Sequence, residues 1–274
     1  MNNYYNTLFP YAYNILGSAD EAYDAIQDVL LKYSQKDSVP DNEKNYLIRG
    51  VINQSINRKR SIQKTESLDA LPQPVSTSYS DVSVEIKDLV SFSLLILLEK
   101  LTPKERAVFI LKEAFAYSHD EICEVLSISS DNARKLLSRA KAKLNQRHST
   151  LKKVSGEQFI KLEVFTQALQ SGNLEQLHQL FHKDIEFRAD GGDSIKVVQK
   201  YLKGLREVAS LVVDVYQRFQ TSYTIRYRFI NHQPAILYYD NTVLKVCQVF
   251  ELHPEDQTIR SINSILDPVK LRKI

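Results

Sequence analysis

Apolar residues recur at spacings of three and four through the first part of the chain: Ala22, Ala25, Ile26, Val29 and Leu30, then Leu47, Ile48, Val51, Ile52 and Ile56. That period puts each set on one face of a helix, so residues 8 to 60 read as helices, broken where Pro40 and its polar neighbours interrupt the pattern. Residues 64–83, KTESLDALPQPVSTSYSDVS, are rich in Ser, Thr and Pro and carry no sustained period, which predicts a linker. Helical periodicity resumes at Val84. Thr102-Pro103-Lys104-Glu105 predicts a helix start as a capping box with Pro at the first helical position, and Ser118-His119-Asp120-Glu121 predicts a second. Only Ser127-Ile128-Ser129 then separates Leu126 from Ser130, too short for anything but a compact corner, and Ser129 or Ser130 can cap the helix that follows. In that helix Ala133, Leu136, Leu137, Ala140 and Leu144 form one apolar stripe, which leaves Arg134, Lys135, Ser138, Arg139 and Lys141 on or beside the solvent face.

A third segment begins near Gly156. It opens on helical spacing (Phe159, Leu162, Phe165 and Leu169, then Leu174, Leu177 and Leu180) and turns from Asp184 to strand-like runs, YTIRYRFI, AILYY and VLKVCQVFEL. Helices followed by a strand-rich antiparallel stretch indicate an α+β domain. The expected fold class is therefore multidomain: two all-α domains, the second a helix-turn-helix, and a C-terminal α+β domain. The boundaries are read as 1–63, a linker at 64–83, 84–150 and 156–274.

A chain of 274 residues with 43% hydrophobic and 25% charged residues can bury a core in each of these domains. Its net charge of +3 is only mildly basic, so any nucleic-acid surface must come from local clustering. Cys123 and Cys247 lie far apart without His or Cys at metal-ligand spacing, which argues against a disulfide framework or zinc and fits a reducing cytoplasm. The N-terminus lacks the basic and apolar regions of a signal peptide, and the longest apolar stretch, Leu89 to Leu98, is half the ~20 residues a spanning helix needs. The expectation is a soluble, cytoplasmic protein with no membrane partner.

Two short helices around a tight corner, with a basic face on the second, have the form of a DNA reader whose second helix presents its N-terminal residues to base edges. Ser130, Asp131, Arg134, Lys135, Ser138 and Arg139 are the candidate contacts. A helical pair with a solvated charged face is the plainer alternative. The stretch LLEKLTPKERAVFILKEAFAYSHDEICEVLSISSDNARKLLSRAKAKL resembles region 4 of extracytoplasmic-function sigma factors, and DEAYDAIQDVLLKYS followed by YLIRGVINQSINRKRS resembles their region 2. Two departures are Ser127, where the family commonly has Gly, and Cys123 at a usual Ala position.

The resemblance implies the partners: core RNA polymerase, met through the β′ clamp helices and the β flap, and promoter DNA. It implies that Asp24, Gln27 and Asp28, on one helical face, dock on the clamp helices. It further implies that Tyr46, Arg49, Asn53, Asn57, Arg58 and Arg60, with Lys59 beside them, read and open the −10 element, and that the region 4 contacts read the −35 element. Planar amides, an aromatic and basic ends suit an unstacked single strand, although Tyr46 reads equally well as core. Such a protein does no covalent chemistry; the polymerase catalyses.

The stretch QALQSGNLEQLHQLFHKDIEFRADGGDSIKVV resembles the start of a SnoaL-like domain of the NTF2-like cone folds. Asp190-Gly191-Gly192-Asp193 stands where a sigma subgroup with this extension has a D-G-G-G-K motif, and Asp267, Pro268, Lys270 and Leu271 resemble its terminal N-P-D-K-L motif. Leu71-Pro72-Gln73-Pro74-Val75 is similar to its Trp-Leu-Pro-Glu-Pro linker motif, with Ala70 in place of Trp. The resemblance implies that Asp190, Gly191, Gly192, Asp267, Pro268, Lys270 and Leu271 serve regulation. The plainer role of the two glycines is a turn that needs positive φ.

Cones of this kind include enzymes, for which His178, His182, Asp184, His232 and His253 are the available acids and bases, but they form no recognised motif. His178 and His182 are four apart near a predicted helix end, a spacing that can hold a metal, while Lys183 and Asp184 beside them mark an exposed end. No catalytic residue, metal or cofactor is expected. The reading is an alternative sigma factor, not an enzyme, modulated by its own C-terminal domain, with an anti-sigma factor or small ligand left open. Its rivals are a helix-turn-helix regulator that works without polymerase and a bifunctional protein whose cone binds a small ligand or retains isomerase or cyclase activity.

Overall fold

The computed structural model describes residues 2–36, 40–63, 71–75, 89–144, 157–272 and 274. The chain forms two compact units, Met1–Leu68 with Ser78–Thr150, and Asp69–Thr77 with Leu151–Ile274. Among the described residues no helix is long and apolar enough to cross a membrane.

The first unit is all helix: α1 (Asn2–Leu16), α2 (Ala19–Ser34), α3 (Glu43–Ile62), α4 (Phe92–Leu98), α5 (Pro103–Glu113), α6 (His119–Leu126) and α7 (Ser130–Leu144). Helix α1 begins before residue 8 and runs through Pro10, held by packing rather than period: Phe9 lies 4.9 Å from the Tyr23 ring of α2 and stacks on Tyr13. Ser18 caps α2 and Asn42 caps α3, each accepting from the backbone N–H three residues on. Both predicted capping boxes form, at Thr102/Glu105 and Ser118/Glu121. The stripes read from the sequence are the core, with Ala25, Ile26, Leu47, Val51, Ile52, Ala133 and Ala140 fully buried.

Glu99, just past α4, holds this unit together electrostatically. Its carboxylate meets Lys59 of α3 at 2.7 Å and Arg106 of α5 at 2.5 Å, and Lys59 and Arg106 also donate to the carbonyls of Leu16 and Asn14 at the end of α1. Lys59 is thus buried, although its place in the sequence groups it with the exposed basic end of α3.

The second unit contains α8 (Glu157–Ser171), α9 (Leu174–Leu180), β1 (Phe181–Asp190), β2 (Tyr201–Lys203), α10 (Leu205–Val215) with a π-helical turn at Tyr216–Gln220, β3 (Thr224–Ile230), β4 (Gln233–Asp240), β5 (Val243–Leu252), β6 (Ile259–Ile265) and α11 (Pro268–Leu271). The sheet order is β2-β1-β6-β5-β4-β3. It is mixed rather than antiparallel throughout, because β1 pairs parallel to β6 and so brings the first and last long strands together. Leu162 and Phe165 of α8, Leu177 of α9 and Val208 and Val212 of α10 pack on Phe187, Ile236, Phe250 and Ile262 of the sheet. Helix α9 stops at Leu180 and β1 starts at Phe181, so His178 and His182 do not share a helical face. His232 sits with Asn231 in the β3–β4 turn, both at positive φ, the geometry of a tight hairpin. None of the five candidate acids and bases belongs to the apolar core cluster.

Candidate functional site

The basic helix α7 is positioned from both ends of the corner. Ser127 ends α6 in the left-handed region, φ 51°, which is why a glycine suits this position and why a small serine can replace it. Ser129 then accepts from the Asn132 N–H at 3.3 Å and starts α7. The buried carboxylate of Glu105 on α5 grips α7 from behind, with Lys143 at 2.7 Å and Arg139 at 3.6 Å. Asp131, Arg134, Lys135, Ser138 and Arg139 are exposed and Ser130 is half-buried. Among the described residues Arg134 and Lys135 have no ion-pair partner, whereas Arg139 is shared with Glu105. If α7 reads DNA as its sequence leads one to expect, Arg134→Ala or Lys135→Ala weakens that binding more than Arg139→Ala, whose charge is already shared with Glu105. Each lost phosphate contact lowers the slope of log K against log salt by about one for every sequence, while a lost base contact relaxes preference at one position. Filter binding across a salt series separates the two.

On α2 and α3 the structure joins two groups that the sequence keeps apart. Arg58 places Nε 2.8 Å from Glu21, Nη2 3.0 Å from Asp24 and Nη1 3.0 Å from Asp28, and Gln54 also donates to Asp28 at 2.9 Å. Asp24 and Asp28 nevertheless keep about half their side-chain surface in solvent, at 58% and 45%. Tyr46 is exposed, with the Lys36 ammonium 4.3 Å from its ring centre. Asn57 and Arg60 are exposed, while Arg49 and Asn53 turn to the corner of the helix-turn-helix: Arg49 Nη2 donates to Ser127 Oγ at 2.7 Å and Asn53 Nδ2 to the Val125 carbonyl at 3.1 Å. Two of the candidates on α3, Arg49 and Asn53, are therefore engaged by the corner that orients α7.

In the second unit the three motifs marked by sequence meet at one carboxylate. Asp190, the last residue of β1, accepts from the N–H of Leu71 at 2.8 Å through Oδ2 and from the N–H of Gly192 at 2.9 Å through Oδ1. Lys270 of α11 approaches Asp190 Oδ2 to 2.6 Å and also donates to the Leu71 carbonyl. Val75, at the other end of this strap, donates to Asn231 Oδ1 at 3.1 Å and accepts from the Asn231 N–H. Leu71, Gln73 and Val75 are buried. Burial alone would push the Asp190 carboxyl up, but Lys270 and the two backbone donors outweigh it and hold it below the ordinary aspartate range.

Both glycines are required by close approach. A Cβ on Gly191 would lie 1.9 Å from the Ile195 carbonyl oxygen, and one on Gly192, at φ +59°, would lie 2.6 Å from the Asp267 carboxyl carbon. Asp267 caps α11 by accepting from the Val269 N–H, Pro268 occupies its first turn and Leu271 is buried. Asn231 is the partner that sequence reading missed; its signal is only that of a hairpin turn.

Residues 91–144 match the family described as Sigma-70, region 4. The ECF RNA polymerase sigma factor SigJ of Mycobacterium tuberculosis (strain ATCC 25618 / H37Rv) is 26% identical over 223 residues, 77% of this chain and 70% of that protein. The probable ECF RNA polymerase sigma factor SigI of Mycobacterium tuberculosis (strain CDC 1551 / Oshkosh) is 26% identical over 188 residues, 69% of this chain but only 62% of its own length. The crystal structure of the M. tuberculosis SigJ has the same fold, with a TM-score of 0.77 at 20% identity across 99% of this chain and 97% of that one. Residues 91–144 thus carry a Sigma-70 region 4 domain, most of the chain is similar to extracytoplasmic-function sigma factors, and its fold, helical units followed by a mixed sheet, is that of SigJ.

Proposed function

We propose that the chain is an alternative sigma factor that directs RNA polymerase to promoter DNA in transcription initiation, and that it is restrained by its own C-terminal domain through the strap at residues 71–75. Residues 1–63 act as region 2, 64–83 as the linker, 84–150 as region 4 and 156–274 as the regulatory domain. The observation that carries the reading is the clamp on Leu71: the linker joining the two DNA-reading regions is hydrogen-bonded to Asp190 and Lys270. A linker so held limits the span available between regions 2 and 4. The bonds from Arg49 and Asn53 to the helix-turn-helix corner favour the same closed form. Polymerase and promoter must compete with these contacts, and anything that loosens the strap shifts the population toward the open form.

In the open form α7 reads the −35 element, and Tyr46, Arg49, Asn53, Asn57 and Arg60 of α3 receive the −10 strand. Arg58 supports this face indirectly, by fixing the carboxylates of α2. Asp24, Gln27 and Asp28 dock on the β′ clamp helices, and region 4 meets the β flap. The domain works by binding, not by catalysis, in the cytoplasm where the polymerase is. Charge reversal of Asp24 and Asp28 tests the docking face: association with core polymerase should fall at least about tenfold as like charges meet across the interface. Unchanged association with normal circular dichroism would show that this face is solvated surface only.

A further inference from the structure

We propose that His182, His253 and Asp256 form a divalent transition-metal site, suited to zinc, at one end of the C-terminal sheet. Their ligand atoms all lie within 4.8 Å of one another, although the residues are far apart in sequence. The fold builds this juxtaposition. The register of β1 against β6 shifts between Phe181 and Glu186, and His182 lies in that irregular stretch. His253 directly follows β5, and the rings of His182 and His253 stack with centroids 4.8 Å apart and planes 15° from parallel.

Asp256 is held in place by the β5–β6 turn. The His253 N–H donates to the Thr258 carbonyl at 2.7 Å, the Gln257 N–H returns to the His253 carbonyl at 3.0 Å, and Gln257 takes φ +58°. Thr258 donates to Asp256 Oδ1 through its N–H at 2.9 Å and its hydroxyl at 2.7 Å. These bonds fix the orientation of the Asp256 carboxylate toward the two rings. Its Oδ1 lies 3.2 Å from His253 Nδ1, and that nitrogen is sealed from solvent without a hydrogen bond.

Two imidazole nitrogens and one carboxylate oxygen, with water as the fourth ligand, are a donor set that Zn²⁺ and its neighbours accept. Bonds of about 2.0–2.2 Å in a tetrahedron need donors closer together than the present spread, so the side chains must draw in by about 1 Å and the two rings must turn out of their parallel stack, because a metal lies in the plane of each imidazole it binds. His182 and His253 are only half-buried and Asp256 is exposed, which leaves that freedom. His182 Nδ1 now accepts from the Asp184 N–H at 3.1 Å. A metal on either nitrogen ends that bond, because it takes the Nδ1 lone pair or moves the ring proton there. The loss is about 1 kcal/mol and the freed amide is exposed to water. Lys161, which donates to the Gln257 carbonyl, is the cation that competes for the charge of Asp256. An ion bound here ties the start of β1, the strand that ends at Asp190, to the β5–β6 turn.

The test uses untagged, chelator-treated full-length protein titrated with Zn²⁺ by calorimetry and with Co²⁺ by visible absorption. The expected result is one equivalent bound with a Co²⁺ d–d band, a raised melting temperature with Zn²⁺, and affinity at least about tenfold weaker in His182→Ala, His253→Ala and Asp256→Asn. Variants with wild-type circular dichroism without metal carry that comparison, and the Co²⁺ band of the wild-type protein needs no variant. Absence of the band, or binding undiminished in the His182→Ala/His253→Ala double variant, overturns the site.

Discussion

Replacing Lys270 by Ala is expected to free the strap. Asp190 and Lys270 are both largely buried, so removing the ammonium leaves a buried carboxylate without its counter-charge and takes a donor from the Leu71 carbonyl. Breaking such a pair costs about 3–5 kcal/mol, against about 1 kcal/mol for an ordinary hydrogen bond. Amide exchange at Leu71 and Val75 should therefore speed up by about two to three orders of magnitude, while the amides of β4 and β5 stay protected. The double variant Asp190→Asn/Lys270→Met leaves no charge unpaired and keeps an acceptor for the Leu71 N–H, so it should lose less than Lys270→Ala. The clamp also has a pH dependence of fixed sign. The folded Asp190 sits below its unfolded value of about 4, so its contribution is complete above that value and is lost as pH falls through the folded one. Strap exchange that does not respond to Lys270→Ala would remove the clamp from the account.

The second large effect lies in the helical unit. Glu99→Ala removes the carboxylate shared by Arg106, 0% exposed, and Lys59, 7% exposed, between α1, α3 and α5, and strands the Arg106 guanidinium as a buried cation. The expected loss is again about 3–5 kcal/mol, a large share of the ~5–15 kcal/mol that holds a typical domain. Urea unfolding followed by helical circular dichroism measures it, and adding Lys59→Met to Glu99→Ala should recover part. Burial pushes the Glu99 carboxyl up, but Arg106 and Lys59 outweigh it and set it below the ordinary glutamate range. The stabilisation is therefore present above the unfolded value of about 4.3 and fades as pH falls through the folded one. A midpoint unchanged in Glu99→Ala would show that the two cations find other partners.

What the sequence made legible was local. Caps, the apolar stripe of α7 and the compact corner at Ser127-Ile128-Ser129 are decided within a few residues, and each formed where the residues call for it, the corner through a left-handed Ser127. The turn at Gly191-Gly192 was legible for the same reason. What it holds was not: the Asp190 carboxylate and the Leu71 N–H are 119 positions apart, and no period or cap links them. Lys59 and Arg58 look like two more cations at a basic helix end, and only packing turns one inward to Glu99 and the other across to α2. His182 follows His178 at helical spacing, yet the helix stops at Leu180 and the ring meets His253 instead, a meeting that only the assembled sheet defines.

The central claim is that the chain directs polymerase to promoters and that its own C-terminal domain holds it back. Run-off transcription with core RNA polymerase on a library of genomic fragments tests both parts at once, comparing full-length protein with protein cut before Asp267. The account predicts initiation from the same promoters by both proteins, with the truncated one severalfold more active because Lys270 no longer clamps the strap. Equal activity of the two, both shown to be folded, would contradict the restraint, and no promoter-specific transcript from either would contradict the whole account.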